Sequence, residues 1–199
     1  MERDPARTIR IGLLGCGNVG GPLAELVRRQ ADAIEARTGL RLEITRVAVR
    51  NLSRDRGVSF PDGVLTRDPH AVVGDPDIDL VVELIGGIEP ARELIATALG
   101  HGKPVVTGNK ELLANVGAEL FSAADRAGVD LLFEAAVAGG IPLIRPLRES
   151  LRGEPLTRVL GILNGTTNYI LTKMSEEGAD YGAALAEAQE LGYAERDPT

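Results

Sequence analysis

The stretch that decides the fold is Thr8 to Gly20, Thr-Ile-Arg-Ile-Gly-Leu-Leu-Gly-Cys-Gly-Asn-Val-Gly. Thr8 to Leu14 is a short apolar run broken only by Arg10, and Gly15-Cys16-Gly17-Asn18-Val19-Gly20 follows at once. That is a strand entering a glycine turn. From Pro22 onward Leu23, Leu26, Val27, Ala31 and Ile34 recur at helical spacing, with Arg28, Arg29, Asp32 and Glu35 between them, until Gly39 stops the pattern. A second strand is expected from Leu42 to Val49. The order strand, glycine loop, helix, strand is a βαβ unit with its glycines where a dinucleotide needs them. Gly15 permits the tight turn, Gly17 lets the backbone approach a pyrophosphate and Gly20 allows close helix packing, while the N–H groups around Asn18 and Val19 face the phosphates.

Alternation continues outward from this unit. Asp79 to Leu84 reads as a third strand, Ala91 to Leu99 as a helix, Pro104 to Thr107 as a fourth strand, Val116 to Ala127 as a helix and Asp130 to Phe133 as a fifth strand. Strands alternating with helices imply a parallel sheet covered on both faces, an α/β doubly wound (Rossmann-type) dinucleotide-binding domain over residues 1–133. After Glu134 the texture changes. Ala135 to Ile141 is small and glycine-rich, Pro142 to Leu151 reads as a helix, Thr157 to Leu163 as a strand, and Thr167 to Met174 and Ala183 to Leu191 as helices. Residues 134–199 therefore read as the start of a second domain, incomplete because its one strand has no sheet partner of its own.

Composition agrees with this class. The 199 residues allow one large domain, or one domain and part of another. Aromatic residues make up only 3% and Trp is absent, so the core must be built from Val, Ile, Leu and Ala, as in parallel strands covered by helices. A formal charge of −7 argues against nucleic acid or an anionic membrane as partner, since both need clustered basic groups. Cys16 is the only cysteine, and His70 and His101 lack partners at metal-ligand spacing. With no signal-peptide or membrane-spanning run, a cytoplasmic protein acting on a small molecule is expected.

Two positions carry the chemistry. An acidic residue that would hold an adenosine ribose is missing from the end of the second strand, where Arg50-Asn51-Leu52-Ser53-Arg54-Asp55-Arg56 stands instead. Arginine there can pair with a 2′-phosphate through its planar fork, so Arg50 favours NADP(H) over NAD(H); the competing reading is a solvated loop. Lysine is scarce: of 22 basic residues only Lys103, Lys110 and Lys173 are lysine. Lys110 follows the fourth strand directly, where ligands bind in open α/β sheets. Lysine can release a proton near neutral pH when desolvated and arginine cannot, which suits Lys110 to proton transfer or charge stabilisation; otherwise it is a helix-start lysine in water.

The glycine loop, Thr107-Gly108-Asn109-Lys110, Phe133-Glu134-Ala135-Ala136-Val137-Ala138-Gly139-Gly140-Ile141-Pro142, Gly161 to Ile170 and Leu191-Gly192-Tyr193-Ala194-Glu195-Arg196-Asp197-Pro198-Thr199 together resemble homoserine dehydrogenase. The resemblance implies NAD(P)H-dependent reduction of L-aspartate 4-semialdehyde to L-homoserine, in the pathway to threonine, methionine and isoleucine. It implies that Gly15, Gly17, Asn18, Val19, Gly20, Arg50, Lys110 and Gly192 meet the cofactor, with Lys110 catalytic, and that Thr166 and Glu195 meet the substrate. It further implies a sodium-type monovalent cation at Glu134, Val137, Gly139 and Ile141, and a homodimer for the complete protein. It makes residues 134–199 the start of the family's α+β substrate domain; the family's aspartate and its second, proton-donating lysine lie beyond Thr199, so the chain reads as an N-terminal portion, and no attached aspartate kinase is expected upstream. Two alternatives stay open. One is another two-domain NADP oxidoreductase acting on a semialdehyde or sugar, many of which place a lysine after a Gly-Lys-Pro strand like Gly102-Lys103-Pro104; the other is a nucleotide-binding domain without turnover.

Overall fold

A computed structural model describes residues 7–162, 165–191 and 193. The chain divides into two compact units, residues 1–151 and 152–199. In the first, β1 (Arg7–Leu14), β2 (Leu40–Ala48), β3 (Leu65–Thr66), β4 (Leu80–Glu83), β5 (Val105–Thr107) and β6 (Leu131–Leu132) form one sheet, all pairs parallel, in the order β3-β2-β1-β4-β5-β6. This is the doubly wound order, in which the direction of winding reverses between β1 and β4 and opens a crevice at the carboxyl ends of those strands. The expected sheet is thus present, with β3 added: two residues are too short for any periodicity to reveal.

Helix α1 (Gly20–Thr38) covers one face, and α2 (His70–Val73), α3 (Ala91–Gly100) and α4 (Lys110–Ala127) cover the other. Because side chains alternate along a strand, Ile11 and Leu13 of β1 join the α1-side core while Leu14 joins the opposite one. Val81 and Val82 of β4 divide in the same way. Leu13, Leu14, Leu94, Leu99, Leu120 and Leu131 are all wholly or almost wholly buried, each such side chain contributing about 1.5–3 kcal/mol. The apolar positions that gave the sequence its strand and helix signals are the ones that make the core.

Helix α4 begins six residues before the expected Val116. Asn109 caps it, its side chain accepting the N–H of Leu112 at 3.0 Å, and Leu112 of that first turn is wholly buried, so the apolar pattern runs back from Val116 to the cap. Beyond β6 the chain makes two 3₁₀ turns, Glu134–Ala136 and Ala138–Gly140, and one short π-helical turn, Pro146–Ser150, where a full helix from Pro142 to Leu151 was expected. The second unit holds α5 (Gly165–Glu176) and α6 (Tyr181–Glu190), packed through Ile170, Ala184 and Ala188. The strand expected from Thr157 to Leu163 is corrected: residues 157–162 are neither strand nor helix, and Leu163 lies outside the described residues. Among the described residues no helix is long and apolar enough to cross a membrane.

Candidate dinucleotide site

The glycine loop lies at the carboxyl end of β1, beside the winding reversal. Gly15 has φ +92, and a Cβ on it would stand 2.7 Å from the Leu84 carbonyl oxygen, so the loop is pressed against the chain leaving β4. A Cβ on Gly20 would collide with the Gly15 carbonyl. Both positions require glycine, for conformation in the first case and for space in both. Gly17, Asn18 and Val19 are exposed, and no side chain caps α1. The helix therefore presents its amino end and partial positive charge to the crevice without an acidic residue in its first turn, which suits a phosphate. Cys16, by contrast, packs into the α1-side core as a small hydrophobe, and burial pushes its thiol up.

Lys110 is the first residue of α4, two positions beyond Gly108, whose Cβ would meet the Leu84 side chain at 3.0 Å. Leu84 is thus gripped by Gly15 on one side and Gly108 on the other, which brings the glycine loop and the Lys110 turn to one edge of the sheet. Lys110 is exposed and has no ion pair among the described residues. Lys103 is its opposite. It is buried, with Nζ donating to the carbonyls of Asp75 at 2.6 Å and Ile78 at 2.7 Å, at the amino end of β5. Its charge is spent on closing loops at the edge of the sheet away from the crevice.

Arg50 is exposed just past β2 and likewise has no acidic partner among the described residues. Arg56 organises this loop by donating to the carbonyls of Asn51, Leu52 and Arg54. The turn expected to hold a cation also belongs to the sheet unit. Although burial opposes its charge, the backbone N–H groups of Arg145, Ile144 and Leu143 hold the Glu134 carboxyl below the usual carboxylate range. Those donors take three of its roughly four lone-pair directions. The Glu134 carboxylate therefore caps residues 143–145, and a cation at this turn would draw on its remaining lone pair and on the main-chain carbonyls of Val137, Gly139 and Ile141. Ala138 at φ +54 and Gly139 at φ +60 curl that turn.

In the second unit Thr166 is half-buried, donates its hydroxyl to the Tyr193 carbonyl, and lines an open hollow of about 490 Å³ with Gly165, Asn168, Tyr169, Thr172 and Tyr193. Gly192 and Glu195 lie outside the described residues. Sequence reading passed over one buried polar residue behind this edge of the sheet, Glu83. An acidic side chain within an apolar parallel strand is the signal that could have found it, because a strand covered on both faces leaves such a group no water.

Residues 15–134 match the homoserine dehydrogenase NAD-binding domain family, and residues 142–199 match the homoserine dehydrogenase family. The chain belongs to the homoserine dehydrogenase family. It is 50% identical over 195 residues to the homoserine dehydrogenase of Synechocystis sp., covering 96% of this chain and 44% of that protein. A Mycobacterium tuberculosis homoserine dehydrogenase is 50% identical over 193 residues, covering 97% of this chain and 43% of that protein. Among solved structures, homoserine dehydrogenase from Thiobacillus denitrificans superposes with a TM-score of 0.84 at 51% identity, over 97% of this chain and 44% of the other. A hyperthermophilic archaeal homoserine dehydrogenase in complex with NADPH superposes at 0.78 with 31% identity, over 96% and 63%. The chain thus spans less than half the length of those two curated relatives. Members of this family are oxidoreductases, and the sheet described above is their NAD-binding domain.

Proposed function

We propose that this chain supplies the cofactor-binding part of an NADP(H)-dependent homoserine dehydrogenase, interconverting L-aspartate 4-semialdehyde and L-homoserine in the biosynthesis of threonine, methionine and isoleucine. One observation carries the reading: an uncapped, exposed glycine loop at the winding reversal shares a sheet edge with an unpaired lysine at the start of α4. A bound reduced nicotinamide supplies hydride to an aldehyde carbon. Lys110 then offers a positive charge to the oxygen that becomes an alkoxide, at an edge where the sheet fixes its backbone. Gly15, Gly17, Asn18, Val19 and Gly20 bind the pyrophosphate through backbone N–H groups. Arg50, exposed and unpaired, recognises a 2′-phosphate, the preference for NADP(H) over NAD(H).

In this reading Gly192 is a further cofactor contact and Thr166 and Glu195 meet the substrate, in a cytoplasmic enzyme that pairs as a homodimer. A monovalent cation would steady the turn through its carbonyls. The match of residues 142–199 to the homoserine dehydrogenase family weighs against another two-domain NADP oxidoreductase. A domain that binds cofactor without turnover is the alternative that separate binding and oxidation measurements distinguish.

The test measures NADPH binding and homoserine oxidation separately. Tight NADPH binding, weaker NADH binding and loss of the difference in Arg50→Ala are expected. Binding without oxidation favours the domain alone, and failure to bind either nucleotide overturns the reading. In a chain extended beyond Thr199, Lys110→Ala should abolish oxidation; near-normal activity would remove Lys110 from the site.

A further inference from the structure

Glu83, Thr107 and Asn109 are, with Lys103, the buried polar side chains of the described residues. They form one ring. Glu83, wholly buried at the end of β4, accepts the N–H groups of Ile85 at 2.7 Å and Gly86 at 3.1 Å on Oε1, and the Thr107 hydroxyl at 2.6 Å on Oε2. Thr107 Oγ1 in turn accepts the N–H of Asn109 at 3.0 Å, which leaves its single hydrogen for Glu83. Asn109 closes the circuit, donating its amide to the Gly87 carbonyl at 2.7 Å while capping α4 with its oxygen. A carboxylate held by neutral donors alone is a costly thing to bury, and every member must be present for the rest to be satisfied.

The ring's place in the fold gives it a use. Ile85, Gly86 and Gly87 leave β4 at the winding reversal, opposite the glycine loop, and both glycines have positive φ. A doubly wound sheet consists of two mononucleotide-binding halves, and with the adenosine ribose at the end of β2 the half built on β4 to β6 takes the nicotinamide nucleotide. The ring ties that half together: the loop after β4, the end of β5 and the first turn of α4, which carries Lys110.

We propose that Glu83 and Thr107 are positioning residues, whose ring with Asn109 holds the Ile85–Gly87 loop and the start of α4 as one wall of the crevice, against which the nicotinamide half of the dinucleotide rests. The inference rests on the dinucleotide reading above and is independent of which substrate is reduced. The test compares two probes on the 199-residue chain: NADPH, and 2′,5′-ADP, which keeps the adenosine half and lacks the nicotinamide. Thr107→Val, near in shape but without the hydroxyl, should bind 2′,5′-ADP as the parent does and NADPH about tenfold more weakly, since it leaves a buried carboxylate oxygen and an N–H unpartnered. Thr107→Ser should restore NADPH binding. Glu83→Gln keeps an acceptor for the two N–H groups but turns an amide NH₂ toward Thr107, and should lose NADPH affinity in the same direction by less. Parent-like NADPH affinity in both Thr107→Val and Glu83→Gln overturns the proposal. So does a parallel loss of both probes, the mark of a residue that only stabilises the fold. A parent chain that binds neither probe overturns the cofactor reading itself, a different pattern from either.

Discussion

The two units solve the same problem with unequal means. The sheet unit places apolar side chains on both faces of six strands and buries Leu13, Leu14, Val81, Leu94, Leu99 and Val105 completely. The unit beyond Leu151 has a pair of helices whose buried set is Ile170, Ala184 and Ala188, while Val159, Leu160 and Ile162 stand 64, 83 and 72% exposed. A parallel sheet can satisfy every backbone group and hide two apolar faces within one stretch of chain. A lone strand-like segment can do neither, whatever its side chains, because a strand exists only with a ladder partner.

The largest effect should come from the interior of the first unit. Leu94 of α3 is wholly enclosed, so Leu94→Ala should lower stability by about 2–5 kcal/mol, read as a fall in the denaturant midpoint at constant slope. A loss under 1 kcal/mol would mean that this core collapses around the cavity and is far softer than its burial implies. Asn109 comes next. It caps α4 and bonds Gly87, and Asn109→Ala should cost about 0.5–2 kcal/mol from the cap, with Asn109→Asp recovering the cap and not the Gly87 bond.

A smaller effect separates the two units by the kind of donor each uses. In the first, Glu134 is held below the usual carboxylate range by backbone N–H groups against an opposing burial. In the second, the Tyr169 hydroxyl and then Lys173 hold Glu187 down, Lys173 also pairing with Glu177. For both carboxyls the folded value is depressed, so their stabilisation is present above the unfolded carboxylate value of about 4.3 and is lost as pH falls through the folded one. The amide resonances of Leu143, Ile144 and Arg145 should therefore shift together in acid, following the Glu134 midpoint. Salt at about 0.5 M should raise the Glu187 midpoint by screening Lys173 and leave that of Glu134 nearly fixed. Equal movement of both would show that charge, and not backbone hydrogen bonding, holds Glu134.

The same contrast explains what could be read from sequence. The glycine loop, α1 with its Gly39 end and the core strands announce themselves through local spacing, and the sheet order follows once their alternation is seen. The first turn of α4 is marked by the Asn109 cap and by Leu112 four positions before Val116, a signal that a start at Val116 leaves out. Glu83 does not announce itself, because its partner Thr107 lies 24 positions away and only strand pairing brings them together. The cap that Glu134 forms does not, because the N–H groups its carboxylate accepts lie 9 to 11 positions further along the chain. Thr157 to Leu163 carries a genuine strand pattern, and the pattern alone cannot supply the neighbour.

That last segment gives the smallest effect and the sharpest statement of the comparison. Leu160 is 83% exposed, so Leu160→Ser removes almost no apolar surface from the interior and should change stability by less than about 0.5 kcal/mol. Leu94 and Leu160 are the same residue in one chain, and the expected difference between them comes entirely from what surrounds each. Unfolding both variants in denaturant under one set of conditions makes the comparison direct. A loss of 2 kcal/mol or more for Leu160→Ser would place this side chain in a core and its segment on a ladder. A null result would leave residues 157–162 as a strand sequence without a strand, its apolar side chains facing solvent because nothing in the described chain offers them a sheet.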